Sequence, residues 1–163
     1  MSRTGRTRQI VVGGRMRLSA LDTSFEAELR ALIFLFLLDE PTDVDYLACL
    51  DTLTVNAHTF GLGQTNVNGT HRLASGELNA RTHLMTQALQ HMTIQGLVHY
   101  TQDNGHGRFD ISDEGATLVN RLSTQYATDF FNAALETIER VDDQDTNTLT
   151  SFILTAATPG ESR

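Results

Sequence analysis

Helical spacing of apolar residues over several stretches, one Asn-Gly dipeptide between two short runs of β-formers, and a cap-type serine just beyond them predict a mainly α-helical fold with a small β-hairpin. The stretch from Ser75 to Ser112 carries most of that information. Ser75 is an N-cap residue, and Leu78, Leu84, Met85, Ala88, Leu89 and Met92 follow it at helical spacing. Gly96 supplies the left-handed residue on which helices commonly stop. The runs LVHYT and RFDIS then flank Asp103-Asn104-Gly105-His106-Gly107. Asn-Gly there favours a tight hairpin, because such turns need positive φ. Leu97–Thr101 is expected to pair antiparallel with Arg108–Ser112, with Phe109 and Ile111 facing the core. Ser112 then caps a further helix. Helix, hairpin and helix in that order are the arrangement of a winged-helix domain, here with a long C-terminal helix.

Residues 1–17 hold three glycines and no helical period, which fits either a tail without fixed structure, with Gln9–Val12 a short strand within it, or a basic arm for nucleic acid or an acidic partner. The first helix is expected from Thr23 or Ser24 to Asp39. Thr23 and Glu26 have capping-box spacing, and Phe25, Leu29, Leu32, Ile33 and Phe36 define one face. Its last turns, IFLFLL, are apolar all round and demand burial, and Pro41 lies just past its end. A second helix follows Thr42 and runs to about Phe60 on Val44, Leu47, Leu50, Leu53 and Ala57. Residues 61–74 read as a polar loop. The longest helical segment is Asp113–Val141, with Leu118, Leu122, Tyr126, Phe130, Ala134 and Ile138 recurring every four residues. Ser123-Thr124 is its natural point for a kink or restart. A short helix at Thr146–Ala157 closes the chain. The organisation is thus a basic arm (1–17), a winged-helix domain with a long fourth helix (18–141), and a short helix and tail (142–163).

The length of 163 residues suits one domain with extensions. The formal net charge is −8 but uneven: the first 17 residues hold five arginines and no acid, whereas the remainder holds seven arginines against 20 acids, a balance of −13. A body that acidic repels a phosphate backbone unless a local basic face overrides it. One cysteine, Cys49, excludes an internal disulfide and fits a reduced, cytoplasmic setting. No apolar run approaches the ~20 residues that span a bilayer.

Catalytic patterns are weak. The six histidines include no HExxH motif, and His83 and His91 stand more than two turns apart on one helix, which predicts no metal site. Ser75 is not in a nucleophile elbow, and the paired carboxylates at helix ends, such as Asp113 with Glu114, complement the helix dipole. The chain is read as a non-enzyme without a cofactor. Glu77 and Arg81 have the favourable i, i+4 order of a helix ion pair. The third helix offers Arg81 as its only arginine, a thin footprint for reading DNA.

The runs RALIFLFLLDE, YLACLDTLTVNAHTFG, SGELNAR, ALQHMTIQGLVHY and LSTQYA resemble the middle component of prokaryotic three-component ABC-type systems, the small subunit of Lamassu-like defence operons. The resemblance covers about Glu28–Phe131. Its most specific part is Ser75, Gly76, Glu77 and Arg81 followed by Gly96-Leu97-Val98. It implies a non-catalytic winged-helix subunit that binds an SMC-like ATPase with coiled-coil arms, beside a separate nuclease-type effector, in antiphage or antiplasmid defence. Glu77 and Arg81 become partner-binding candidates on that ground. The apolar stripe of the long helix adds Phe130, Phe131 and Ile138 as contacts for the ATPase or a second subunit, unless the helix bends near Ser123 and folds over. Arg3, Arg6, Arg8, Arg15 and Arg17 are the candidate nucleic-acid contacts, with DNA bound only weakly or through the complex. The alternative is a winged-helix transcriptional regulator, dimeric through its long helix.

Overall fold

The structure, a computed structural model, describes residues 15–63, 76–142 and 144–156, with side chains from Phe25 onward. Helix α1 spans Arg15–Leu38. It begins eight residues before the expected start at Thr23, so Thr23 and Glu26 lie inside it and form no cap. Arg15 to Leu21 are mostly good helix formers, which lets the helix extend N-terminally. Ala27 and the run Ala31–Leu35 are buried, as the all-round apolar pattern requires. The helix stops at Asp39, which takes φ 53° and donates its N–H to the Leu35 carbonyl.

Thr42 then forms a bridge to Phe109, each amide donating to the other's carbonyl at 2.8 Å. Helix α2 covers Val44–Val55, and its N-cap is Asp43, whose carboxylate accepts the Tyr46 N–H. It ends five residues before the expected Phe60, with Asn56 as its C-cap. Every residue from Leu47 to Val55 is buried, so α2 is the central rod of the fold.

Helix α3 spans Glu77–Ile94, with Gly76 at its N-cap position; the predicted cap, Ser75, lies outside the described residues. Its C-terminus is a Schellman motif. Leu97 N–H reaches the Met92 carbonyl, Gly96 N–H reaches Thr93, and Gly96 has φ 82°. Strands β1 (Val98–Asp103) and β2 (His106–Ile111) pair antiparallel from Val98 with Ile111 to Asp103 with His106. Asn104 and Gly105 both take positive φ, 54° and 82°, as a type I′ turn requires. The strands begin and end within two residues of expectation, and Phe109 and Ile111 pack against the core.

The single long helix expected over Asp113–Val141 is instead two. Helix α4 covers Asp113–Asn120 and α5 covers Gln125–Arg140. Ser112 caps the first by accepting the Gly115 N–H, and the Thr124 hydroxyl caps the second by accepting the Ala127 N–H. The break thus falls where two hydroxyl residues compete for backbone bonds. It turns α5 onto α1 and α2 and buries Phe130, Ala134 and Thr137. In α4, Leu118 of the apolar repeat is exposed, and its neighbour Val119 is buried instead. Helix α6, Thr146–Ala156, packs Leu149 and Ile153 against α2. The described chain is therefore six helices and one two-stranded hairpin. None of these helices is long and apolar enough to cross a membrane.

Candidate functional site

Two charged side chains lie at the centre of the helix packing with no solvent exposure, Arg30 of α1 and Asp51 of α2. Arg30 Nε donates to Asp51 Oδ1 at 2.6 Å and its Nη2 to Oδ2 at 3.3 Å, a two-pronged pair. Arg81, one turn into α3, donates Nη1 to the same Oδ2 at 3.0 Å and Nε to Glu77 at 2.9 Å. Glu77 in turn accepts from Asn56 Nδ2, which also bonds the Thr52 carbonyl. On the α5 side, Arg30 Nη1 reaches the Tyr126 hydroxyl at 3.3 Å, and Glu26 stands 3.7 Å away. One continuous network of alternating charge therefore ties α1, α2, α3 and α5 together.

Burial pushes the Asp51 carboxyl upward, but the charges and hydrogen bonds of Arg30 and Arg81 outweigh it and hold it below the ordinary carboxylate range. Burial likewise opposes the charge on Arg30, and Asp51 reverses that effect, so Arg30 stays firmly protonated. Tyr126 is raised by its burial, with Arg30 acting in the opposite direction. These perturbed groups satisfy one another inside the fold rather than facing a cleft. Their arrangement suits the fixing of helix positions, and it presents no nucleophile with an adjacent base. Cys49 is equally interior; burial raises its thiol, which lies 3.4 Å from the Thr150 hydroxyl. Among the described residues no three His, Cys, Asp or Glu side chains are grouped to hold a metal ion.

The candidates named from sequence fall in different places. Glu77 and Arg81 do meet, but as the outer end of the network and only slightly exposed. Phe130 is wholly buried, edge-on to Phe34 at 5.3 Å, and is a core residue of the folded chain. Phe131 is half-buried against Phe36, and Ile138 borders a groove shared with Leu38, Tyr46 and Arg108. Arg15 and Arg17 lie in the first turn of α1, while Arg3, Arg6 and Arg8 lie outside the described residues. Sequence reasoning passed over Arg30, Asp51, Asn56 and Tyr126. The signal was present: one arginine interrupts the apolar run of α1 and one aspartate that of α2. A charge set into the buried stretch of each helix calls for the other.

Against known families, residues 20–159 match the model described as ABC-three component (ABC-3C) system Middle Component 2. No curated protein and no solved structure matches the chain.

Proposed function

We propose that this chain, which belongs to the family of ABC-three component system middle components 2, is a non-catalytic adaptor subunit in a defence complex, docking on an SMC-like ATPase beside a nuclease-type effector. Membership makes it one part of a multi-component system; the identity of the partners and the defence role are the proposal. The adaptor is of winged-helix type. The order α1, bridge residue Thr42, α2, α3, β1, β2 supports this, with Thr42 in the place of the short first strand. Phe131 and Ile138, half-buried beside the core, are the part of the α5 stripe left for a partner.

The observation that carries the reading is the direction of Arg81. It is the only basic residue of α3 apart from histidine, and it turns inward to Asp51 and Glu77. A helix that reads DNA presents arginine, lysine, asparagine or glutamine to bases and phosphates. Here the exposed residues of α3 are Asn79, Ala80, His83, Gln87, Gln90, His91 and Ile94, which include no arginine or lysine to hold a phosphate, on a body of charge −13. Any DNA contact then falls to the arm, through Arg3, Arg6, Arg8, Arg15 and Arg17, and works within the complex. Fluorescence anisotropy on labelled duplex DNA tests this. The isolated chain should bind only weakly at physiological salt, and binding should lose sequence preference. Nanomolar, sequence-dependent binding would reject the adaptor and favour the regulator.

A further inference from the structure

A groove of about 410 Å³ opens where the connection from α1 to α2 meets the connection from α5 to α6. Leu38, Pro41, Tyr46 and Ile138 give it an apolar lining, and none of them is fully buried. Four carboxylates share that lining, Glu40 and Asp43 from the first connection and Asp142 and Asp145 from the second. Asp43 and Asp145 are engaged in part, accepting the backbone N–H groups of Tyr46 and Thr148 at 2.8 Å. Glu40 and Asp142 are exposed, and their side chains make no hydrogen bond or ion pair among the described residues. Burial raises the Tyr46 phenol, and the charges of Glu40 and Asp142 raise it further, so carboxylates from both connections act on one ring of the groove. Arg108, the one arginine of the lining, stands 3.8 Å from Asp103, which lies outside it, and offsets little of this charge.

The lining itself selects the occupant. Its carboxylates repel a phosphate backbone, and among the described residues no three acidic, histidine or cysteine side chains are grouped to hold a metal ion. An arginine or lysine side chain suits both parts of the lining. Its aliphatic stem covers Tyr46 and Ile138 while its charged head reaches Glu40 or Asp142. A second copy of this chain would meet the groove, apart from its arm, with a body of charge −13. The basic arm of the same molecule leads into α1 at the end far from Leu38, 24 residues or about 36 Å away. Only a fully extended chain would carry Arg3 or Arg6 that far. We propose that the groove is the docking site for a segment of another component of the system, one that carries arginine or lysine beside aliphatic or aromatic side chains. This rests on the adaptor reading and adds to it the surface, with Ile138 in its lining, and the chemistry of the partner segment.

The test is co-expression of the tagged chain with the two other components of its system, reading how much of each is captured. Glu40→Lys and Asp142→Lys should each lower capture of one component several-fold, and together about tenfold, all at the wild-type urea midpoint. The losses should shrink at high salt, because exposed charges are screened. Asp129→Lys, the same change of charge on exposed α5 surface outside the groove, should capture as the wild type does. Glu40→Gln with Asp142→Asn, which only removes charge, decides the matter should a lysine variant lose its fold. Full capture by a folded double variant overturns the groove and leaves the adaptor reading standing. An equal loss with Asp129→Lys assigns the effect to net charge and also overturns the groove. A wild-type chain that captures neither component overturns both. A homodimer of the isolated chain that the double variant dissolves assigns the groove to a second copy and overturns the proposal.

Discussion

Replacing Asp51 with asparagine removes the one carboxylate shared by Arg30 and Arg81. In the native fold it accepts three charged N–H bonds, at 2.6, 3.3 and 3.0 Å, without solvent exposure. The variant leaves the buried Arg30 guanidinium facing a Tyr126 hydroxyl at 3.3 Å and a partly exposed Glu26 at 3.7 Å. Glu26 is more distant and partly exposed, so it offsets only part of the loss, and the dominant effect is a buried cation without its two-pronged carboxylate. Removing one partner of such a pair costs about 3–5 kcal/mol. For a chain of this size that is a fall in Tm of roughly 6–20 °C. The companion variant Arg30→Met with Asp51→Leu takes out both charges and leaves Arg81 to Glu77. It should recover most of the loss, because two apolar residues of similar volume suit the site. Urea denaturation followed by circular dichroism gives both numbers. A cost below about 1 kcal/mol for Asp51→Asn would refute the idea that this network holds the helices in place. A double variant no better than the single one would refute the charge-balance explanation.

Acid should act through the same group. Asp51 is lowered in the folded chain, so the unfolded chain takes up this proton first as pH falls. Its contribution is fully present above the ordinary aspartate value of about 3.9 and is lost as pH falls from there through the lower folded value. Urea midpoints of the native chain should drop over that window more steeply than those of the double variant. Gly115→Ala should destabilise by about 1–3 kcal/mol in the same assay, because a Cβ there would lie 2.3 Å from the Leu97 carbonyl oxygen. Phe130→Ala should cost about 3–5 kcal/mol as a core truncation, while Phe131→Asp should lower capture of a partner by co-purification at smaller cost to the urea midpoint. If Phe131→Asp co-purifies at full yield, the proposed role of the α5 stripe is wrong.

Local chemistry was the most legible layer of this sequence. The Asn104-Gly105 turn, the Gly96 stop and the Ser112 cap each require a particular backbone geometry, and each appears where its residues stand. The start of α1 was less legible, because good helix formers upstream of Thr23 extend a helix beyond a plausible cap. The run Asp113–Val141 misled in a different way. Its four-residue apolar repeat continues across Arg121–Thr124, but caps at both ends of that segment serve two separate helices. The repeat then marks a surface that folds inward, which is why Phe130 lies in the core. Glu77 and Arg81 were visible as a pair on one helix. Their link to Asp51 and Arg30 joins residues 21 and 30 positions apart, and helical spacing within one element carries no such information.

The adaptor role is tested most directly by native mass spectrometry of the chain co-expressed with the other two components of its system. This chain should appear in an assembly bound to the proposed ATPase component, with its isolated form monomeric and bound to duplex DNA only weakly. A chain found wholly as free monomer or symmetric dimer in that mixture, with the ATPase component complete without it, would contradict the account.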